Sequence, residues 1–426
     1  MTGKAALVFV AGFSFIIGYI SMNLNNLATQ ATSNMALYNQ TTASHGIATT
    51  AANVGLAKFY QDTSWRGSIS QTMTGVNKGS FTATMADLGG NKLRLQSVST
   101  YAVPGAGNIH DTVEVYFDSR KRNSFSMYAW MTDFEGNVFW VTGDTVWGRV
   151  HSNGNLHVNG KPVFMEKATT SKGFDPKAGT GTNKAIFKKG YETGIAQIVF
   201  PTDLNEIITA SAVASGGKRY AGEIWVTLDP KTSANNDGTA YVRSTKTGPI
   251  IDSIDLNNAG FDGVLLGDQK VHVQGTLDGN LSVASLTDVY VEDDVLYERN
   301  PQLVTSDDML GLVANNNVVV AHNVANNNNV EIQASIFTRT GSFTAENYNT
   351  RGLCGTLRVL GSIVQKTRGA VGTFSGSNLT SGLSKRYRFD DRLSDPTVRP
   401  PYYPGFYVRT YAITNWWESY RIRLSL

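Results

Sequence analysis

The sequence predicts a mainly β protein carried on one long N-terminal helix, and three patterns predict it. Residues 5–22 are an uncharged apolar run, residues 65–133 alternate apolar and polar side chains with period two, and short V-x-V units between turn residues recur beyond position 136. Composition points the same way, since 42 glycines and only 17% charged residues among 426 favour short strands and turns over long surface helices. With 41% apolar residues, the chain can bury the cores of two or three domains. The expected division has four parts: a leader, membrane helix and amphipathic extension over 1–62; an antiparallel β-meander head over 63–135; a parallel β-solenoid over 136–375 with an inserted α+β subdomain at about 163–249; and a basic aromatic segment over 376–426.

The apolar run reads AALVFVAGFSFIIGYISM from Ala5 to Met22, with Lys4 before it and no Lys, Arg, Asp or Glu after it until Lys58. About 18 residues of helix rise roughly 27 Å, near the hydrocarbon thickness of a bilayer. The basic flank places the short N-terminus in the cytoplasm and the bulk of the chain outside. A cleaved secretory signal is the alternative. Against it, Leu24, Leu27, Ala31, Met35, Tyr38, Ala43, Ile47, Ala51, Val54 and Phe59 extend a narrow apolar stripe, so the helix continues and becomes amphipathic. Gly46 and Gly55 weaken it locally.

Thr2-Gly3-Lys4-Ala5-Ala6-Leu7-Val8 and the helix after it resemble the N-termini of type IV pilin-like proteins, particularly the PilX-type minor pilins. The resemblance implies leader cleavage between Gly3 and Lys4, and a helix held in the inner membrane before assembly and in a filament afterwards. It also implies other pilin-like subunits as partners. Met1-Thr2-Gly3 is a short leader for that family, and Val8 stands where major pilins carry a glutamate that pairs with a neighbour's N-terminus. Its replacement by valine fits a tip or initiating subunit better than a repeating one.

In the head, period-two strands are expected around Phe81 to Met85, Leu93 to Leu95, Val113 to Phe117 and Phe125 to Met127. Gly89-Gly90-Asn91 and Arg120-Lys121-Arg122-Asn123 are the expected breaks. Beyond them, Leu156-His157-Val158, Val271-His272-Val273, Leu281-Ser282-Val283, Val289-Tyr290-Val291, Val318-Val319-Val320 and Leu357-Arg358-Val359 suggest stacked coils. Asparagines 315–317 and 326–329 suit the turns, where each amide can bond to the equivalent Asn one coil away. The rhythm lapses over 163–249, with a short helix expected after an Asp203 cap and Glu206 at its third position.

Gly143-Asp144-Thr145-Val146, Val150-His151-Ser152-Asn153-Gly154, Ser306 to Val313, Ala334-Ser335-Ile336, Gly341-Ser342-Phe343, Gly361 to Lys366 and Arg368 to Thr373 are similar to an uncharacterised bacterial domain of pilin-like surface proteins. The similarity covers about 136–406 and implies location and architecture without chemistry.

No catalytic, cofactor or metal site is expected. Asp293 with Asp294, Asp307 with Asp308, and Asp390 with Asp391 are neighbours, and adjacent strand residues point to opposite faces, so turn and cap roles fit them better than acid–base pairing. His151 and His157 could share a face, but no acid stands at a metal-ligand spacing; calcium on Asp/Asn-rich turns is the more plausible metal. Cys354, the single cysteine, reads as a small buried hydrophobe.

The C-terminal part is the candidate contact surface. From Arg351 onward twelve basic residues face four acidic ones, and Tyr387, Tyr402, Tyr403, Trp416 and Trp417 are interleaved with them. Arg351, Arg358, Lys366, Arg368, Lys385, Arg386 and Arg388 could meet phosphate or glycan while the aromatics stack on bases or sugars. The plainer reading is an aromatic cap on the open end of the solenoid. The expected function is therefore a non-enzymatic minor pilin-like or filament-tip subunit, structural or adhesive, at the cell surface. A DNA-binding tip protein for DNA uptake is the runner-up, and a surface carbohydrate-active enzyme ranks below it.

Overall fold

The computed structural model describes residues 2–74, 78–103, 107–230, 238–375 and 378–425. The chain forms two compact units, Met1–Lys121 with Val408–Leu426, and Arg122–Tyr407. It is mainly β, with one long N-terminal helix, an antiparallel sheet and large, mostly parallel sheets.

The helix is continuous over Thr2–Gln61, which joins the apolar run and its amphipathic extension in one element. Four antiparallel strands follow as a meander, Gly67–Met73, Gly79–Gly89, Lys92–Val103 and Gly107–Ser124. Alternation decides what they bury. Phe81, Ala83, Met85, Leu93, Leu95, Val113, Val115 and Phe117 face inward and close over Ile47, Ala48, Ala51, Ala52 and Phe59 of the helix. Buried hydroxyls pin the contact: Ser97 Oγ donates to the Ala48 carbonyl at 2.8 Å, and Ser44 Oγ lies 2.8 Å from Ser99 Oγ. Gly55 does more than weaken the helix, because a Cβ there would stand 2.8 Å from Leu95 Cδ1, so glycine lets helix and sheet approach closely.

In the second unit, strands of successive turns of chain lie parallel and in register. Val264–Gly267, Asn280–Ser285, Met309–Ala314, Val330–Thr338 and Leu353–Thr367 stack in that order, burying Leu265, Val283, Leu312, Ile336 and Ile363 in one continuous core. A second series runs from Ile224–Asp229 through Val271–Leu277, Val289–Tyr297 and Val318–Val320 to Phe343–Ala345. Stack order differs from chain order. The strand Trp130–Phe134, early in the sequence, pairs with Leu353–Thr367 on one side and Val150–Ser152 on the other. Ala168–Thr170 and Tyr191–Thr193 extend the stack outward from there. The chain thus enters mid-stack, builds outward to position 193, then returns to start the other half with Lys218–Tyr220 beside Val264–Gly267.

Several expectations change. Residues 163–193 are rungs of the parallel stack rather than an insertion, missed because two- and three-residue strands such as Val163–Phe164 and Ile186–Phe187 are too short to show alternation. Two described stretches of the expected insertion depart from the parallel stack: Thr239–Arg243 pairs antiparallel with Ile224–Asp229 and with Ile250–Asp255, and 194–217 is non-repetitive; its helix, Asn205–Ala210, has Leu204 at the cap, while Asp203 Oδ1 accepts from the Asn205 amide at 3.0 Å. Arg120 to Asn123 do not break a strand: Gly107–Ser124 runs through them, and Phe125–Met127 is a single helical turn whose Phe125 ring meets Phe200, Phe337 and Phe406. Segment 376–426 is no separate module, since Asn378–Phe389 is a stack strand and the Gly405–Ser425 strand joins the meander's sheet beside Gly107–Ser124. The turn asparagines bond across coils to other residues: Asn317 donates to Asp288 Oδ1 and accepts from the Ser342 amide, each at 2.9 Å.

Candidate ligand cleft

Leu353–Thr367 has two successors in the stack. Asn378–Phe389 covers its first half and Trp130–Phe134 its second, and the handover falls at Gly361, whose φ is +151°. Where the two successors part, a cavity of about 410 Å³ opens within the second unit. Ala129, Trp130, Trp140 and Trp147 line it from one side; Lys385, Arg386, Tyr387 and Arg388 line it from the other, with Arg358 and Glu331 on the adjoining rungs.

The inner wall is built around a buried ion pair. Arg368 Nη1 donates to Glu135 Oε2 at 2.7 Å, and both side chains are almost fully buried. The guanidinium lies between Trp130 and Trp140, 5.0 and 4.2 Å from the ring centroids, and Trp130 Nε1 donates to Glu135 Oε1 at 3.2 Å. Tyr387 stacks on Trp130 with planes 15° apart, and burial pushes its hydroxyl well above the ordinary tyrosine range. Lys385 pairs with Asp144 at 3.2 Å; burial first, and then the nearby Arg368 charge, lower its pKa. At the mouth, Arg358, Arg386 and Arg388 are exposed, and the Arg388 guanidinium sits 5.0 Å over the ring of Trp147.

The basic aromatic set read from the sequence is therefore divided. Arg358, Lys385, Arg386, Tyr387 and Arg388 meet at the cleft. Arg351 is buried and braces a turn, donating to the Asn326 carbonyl at 2.8 Å and Asn327 Oδ1 at 3.0 Å. Lys366 pairs with Asp133 at 2.6 Å, and Arg392 with Asp390 at 2.6 Å. Tyr403 is fully buried beside Phe337, whereas Tyr402 is exposed with φ +49°. Trp416 and Trp417 belong to the first unit, on the Gly405–Ser425 strand, where Trp416 Nε1 donates to Glu418 Oε1 at 2.7 Å. The side chains of Arg409, Arg421 and Arg423 lie outside the described residues. Gly3 and Lys4 fall in the first turn of the helix.

Sequence reasoning missed Trp130, Trp140 and Trp147. Their signal was available as three of the chain's seven tryptophans within eighteen positions. The other candidates are used structurally. His151 is buried between Asn153 Oδ1 and Thr169 Oγ1, each at 2.9 Å, and burial lowers its pKa; His157 faces Asp175 at 3.2 Å. Asp308 accepts from the Gly279 and Arg299 amides, and Asp390 caps a helical turn. Cys354 is half-buried rather than buried, at the open start of its strand. Among the described residues no three His, Cys, Asp or Glu side chains converge as metal ligands would.

No protein-family model and no curated protein matches the chain. Among solved structures it is similar to the competence-associated pilin ComZ from Thermus thermophilus, with a TM-score of 0.40 and 12% identity over 90% of this chain and 98% of that one. That likeness is too loose to carry any residue's role from one chain to the other.

Proposed function

We propose that the chain is a membrane-anchored, pilin-like display subunit, minor or at a filament tip, whose β units are held outside the cell in a structural or adhesive role. One observation carries this. The Thr2–Gln61 helix is long and apolar enough to cross a membrane, and in its first part Phe9, Phe13, Phe15, Ile16, Ile17 and Ile20 are all exposed, whereas from Ser44 onward its inner face is buried on the sheet. So many bare aromatic and branched side chains on one helix require lipid or other helices around them. The last third of the helix, from Ser44, is satisfied within the chain, and the apolar first part calls for a partner outside it. Val8, lacking the carboxylate of shaft subunits in the resembled family, supports the minor or tip assignment over a repeating one.

The test is photocrosslinking in cells, with a benzophenone amino acid, which inserts into C–H bonds of whatever lies against it, placed at Ile16. Crosslinks to other subunits carrying an N-terminal apolar helix support the proposal. A helix that yields no crosslink to any protein, in membranes or in sheared surface fractions, removes the filament part of it.

The DNA-uptake alternative gains less from the structure, because Arg351, Lys366, Arg368 and Arg392 are engaged within the fold. An enzymatic role has no specific observation behind it, and a non-catalytic subunit remains our proposal.

A further inference from the structure

Arg358 and Arg386 are Cα partners on adjacent parallel strands, so their backbones lie about 4.8 Å apart, and both side chains are exposed. Arg388 follows two residues on, on the same face of its strand. Neither Arg358, Arg386 nor Arg388 forms a salt bridge to another described residue, whereas the deeper cations Lys385 and Arg368 have Asp144 and Glu135. The one other carboxylate in the cleft, Glu331, stands a rung beyond Arg358 and accepts from Gln333 Nε2 at 2.6 Å. Guanidinium groups on successive rungs repel one another until an anion bridges them, and their planar donors suit a carboxylate or sulfate. Beside them Trp147 is 43% exposed, and while the Arg388 guanidinium rests over one face of its ring, the other is the face on which the apolar side of a sugar can lie. The volume, about 410 Å³, is that of a small-ligand pocket and suits about two sugar rings.

We propose that this cleft binds an acidic saccharide, its ring on Trp147 and its carboxylate or sulfate on Arg358 and Arg386. The proposal rests on the display role above and names the ligand class that the displayed unit meets. A nucleic-acid strand fits the same observations less well. Strand binding needs cations and stacking rings tracking the backbone over about 4–16 nucleotides, whereas Arg358, Arg386 and Arg388 are grouped at one pocket and Arg351, Lys366 and Arg368, which the sequence grouped with them, are used within the fold.

The test uses the full chain in detergent micelles, titrated with trigalacturonate, neutral galactotriose, inorganic sulfate and a ten-residue oligothymidylate. Trigalacturonate is expected to bind, more weakly as salt rises, with galactotriose and sulfate each at least about tenfold weaker, a difference of about 1.4 kcal/mol. Arg386→Ala and Trp147→Ala should each weaken trigalacturonate binding by about tenfold or more. Both residues are exposed, so an unchanged melting temperature separates lost binding from lost folding. Equal binding of galactotriose removes the anion requirement, and equal binding of sulfate removes the sugar. Tighter binding of the oligothymidylate, weakened by the same substitutions, reassigns the cleft to nucleic acid. No binding, or binding insensitive to both substitutions, overturns the proposal. If the chain stays membrane-bound without binding saccharide, only this inference fails; if it binds saccharide but leaves the membrane, only the anchoring fails.

Discussion

His272 lies flat on Trp225, with ring centroids 4.3 Å apart and planes 4° from parallel. Strand register makes the contact, because the two residues are Cα partners on parallel strands, and the next rung adds Tyr290 at 5.2 Å. Carboxylates hold the imidazole on both sides, Glu292 at Nδ1 (2.7 Å) and Glu223 at Nε2 (2.8 Å), and Lys246 also pairs with Glu292 at 2.8 Å. The His272 hydrogen bond first, and then Lys246, hold the Glu292 carboxyl at about 2 against the opposing effect of burial.

A carboxyl depressed in the folded state contributes stability that is complete above its unfolded value and is lost as pH falls toward its folded value. The second unit should therefore lose stability between about pH 4.5 and pH 2, by at most about 3 kcal/mol from this group. Thermal melts across that range will read it. Glu292→Gln should flatten the acid limb and lower the plateau above it; an unchanged acid limb would contradict the assignment.

Arg368 and Glu135 join positions 233 residues apart at the place where early and late strands meet in the stack. Removing one partner leaves the other buried and unpaired, so Glu135→Ala and Arg368→Ala should each cost about 3–5 kcal/mol in denaturant unfolding. Replacing both with apolar residues, Glu135→Leu with Arg368→Met, should recover most of that loss. A double variant as unstable as the singles would show that the pair does more than neutralise itself.

Two helix glycines should respond oppositely. A Cβ at Gly46 meets nothing within 4 Å, so Gly46→Ala should stabilise the first unit by about 0.5–1 kcal/mol. A side chain at Gly55 would press on Leu95 and Ala83, so Gly55→Leu should destabilise it by about 1–3 kcal/mol. Equal effects at both positions would mean that the helix does not seat on the sheet as described.

Asn317 links three coils, through Asp288 on one side and the Ser342 amide on the other. Asn317→Ala leaves the Ser342 amide without its acceptor and removes one of the two donors to Asp288 Oδ1, the backbone N–H remaining, and should cost about 1–3 kcal/mol, visible as a lower melting temperature.

The helix and the meander were legible because their signals are local. Residues 5–22 announce themselves by composition, and Phe81 to Met85 or Val113 to Phe117 by alternation. The later V-x-V units likewise mark real rungs. Stack order was not legible, because which strand lies over Leu353–Thr367 depends on pairing across more than two hundred residues, and neither partner's own sequence records it. The same cause hid half of the cleft. Arg386, Tyr387 and Arg388 stood out beside other charges and rings, whereas Trp130, Trp140 and Trp147 become their neighbours only once the early strands return to the middle of the stack. Conversely, Arg351 and Tyr403 looked like surface contacts in sequence and are buried in the fold.

The bare apolar first part of the helix is tested most directly by alkaline-carbonate extraction of membranes from cells making the full chain. The anchored subunit should remain in the membrane pellet, and Phe13→Lys with Ile16→Lys, costing about 2.5–3.5 kcal/mol each near the centre of a span, should shift it to the supernatant. An unaltered chain recovered as a soluble monomer without detergent would contradict the account.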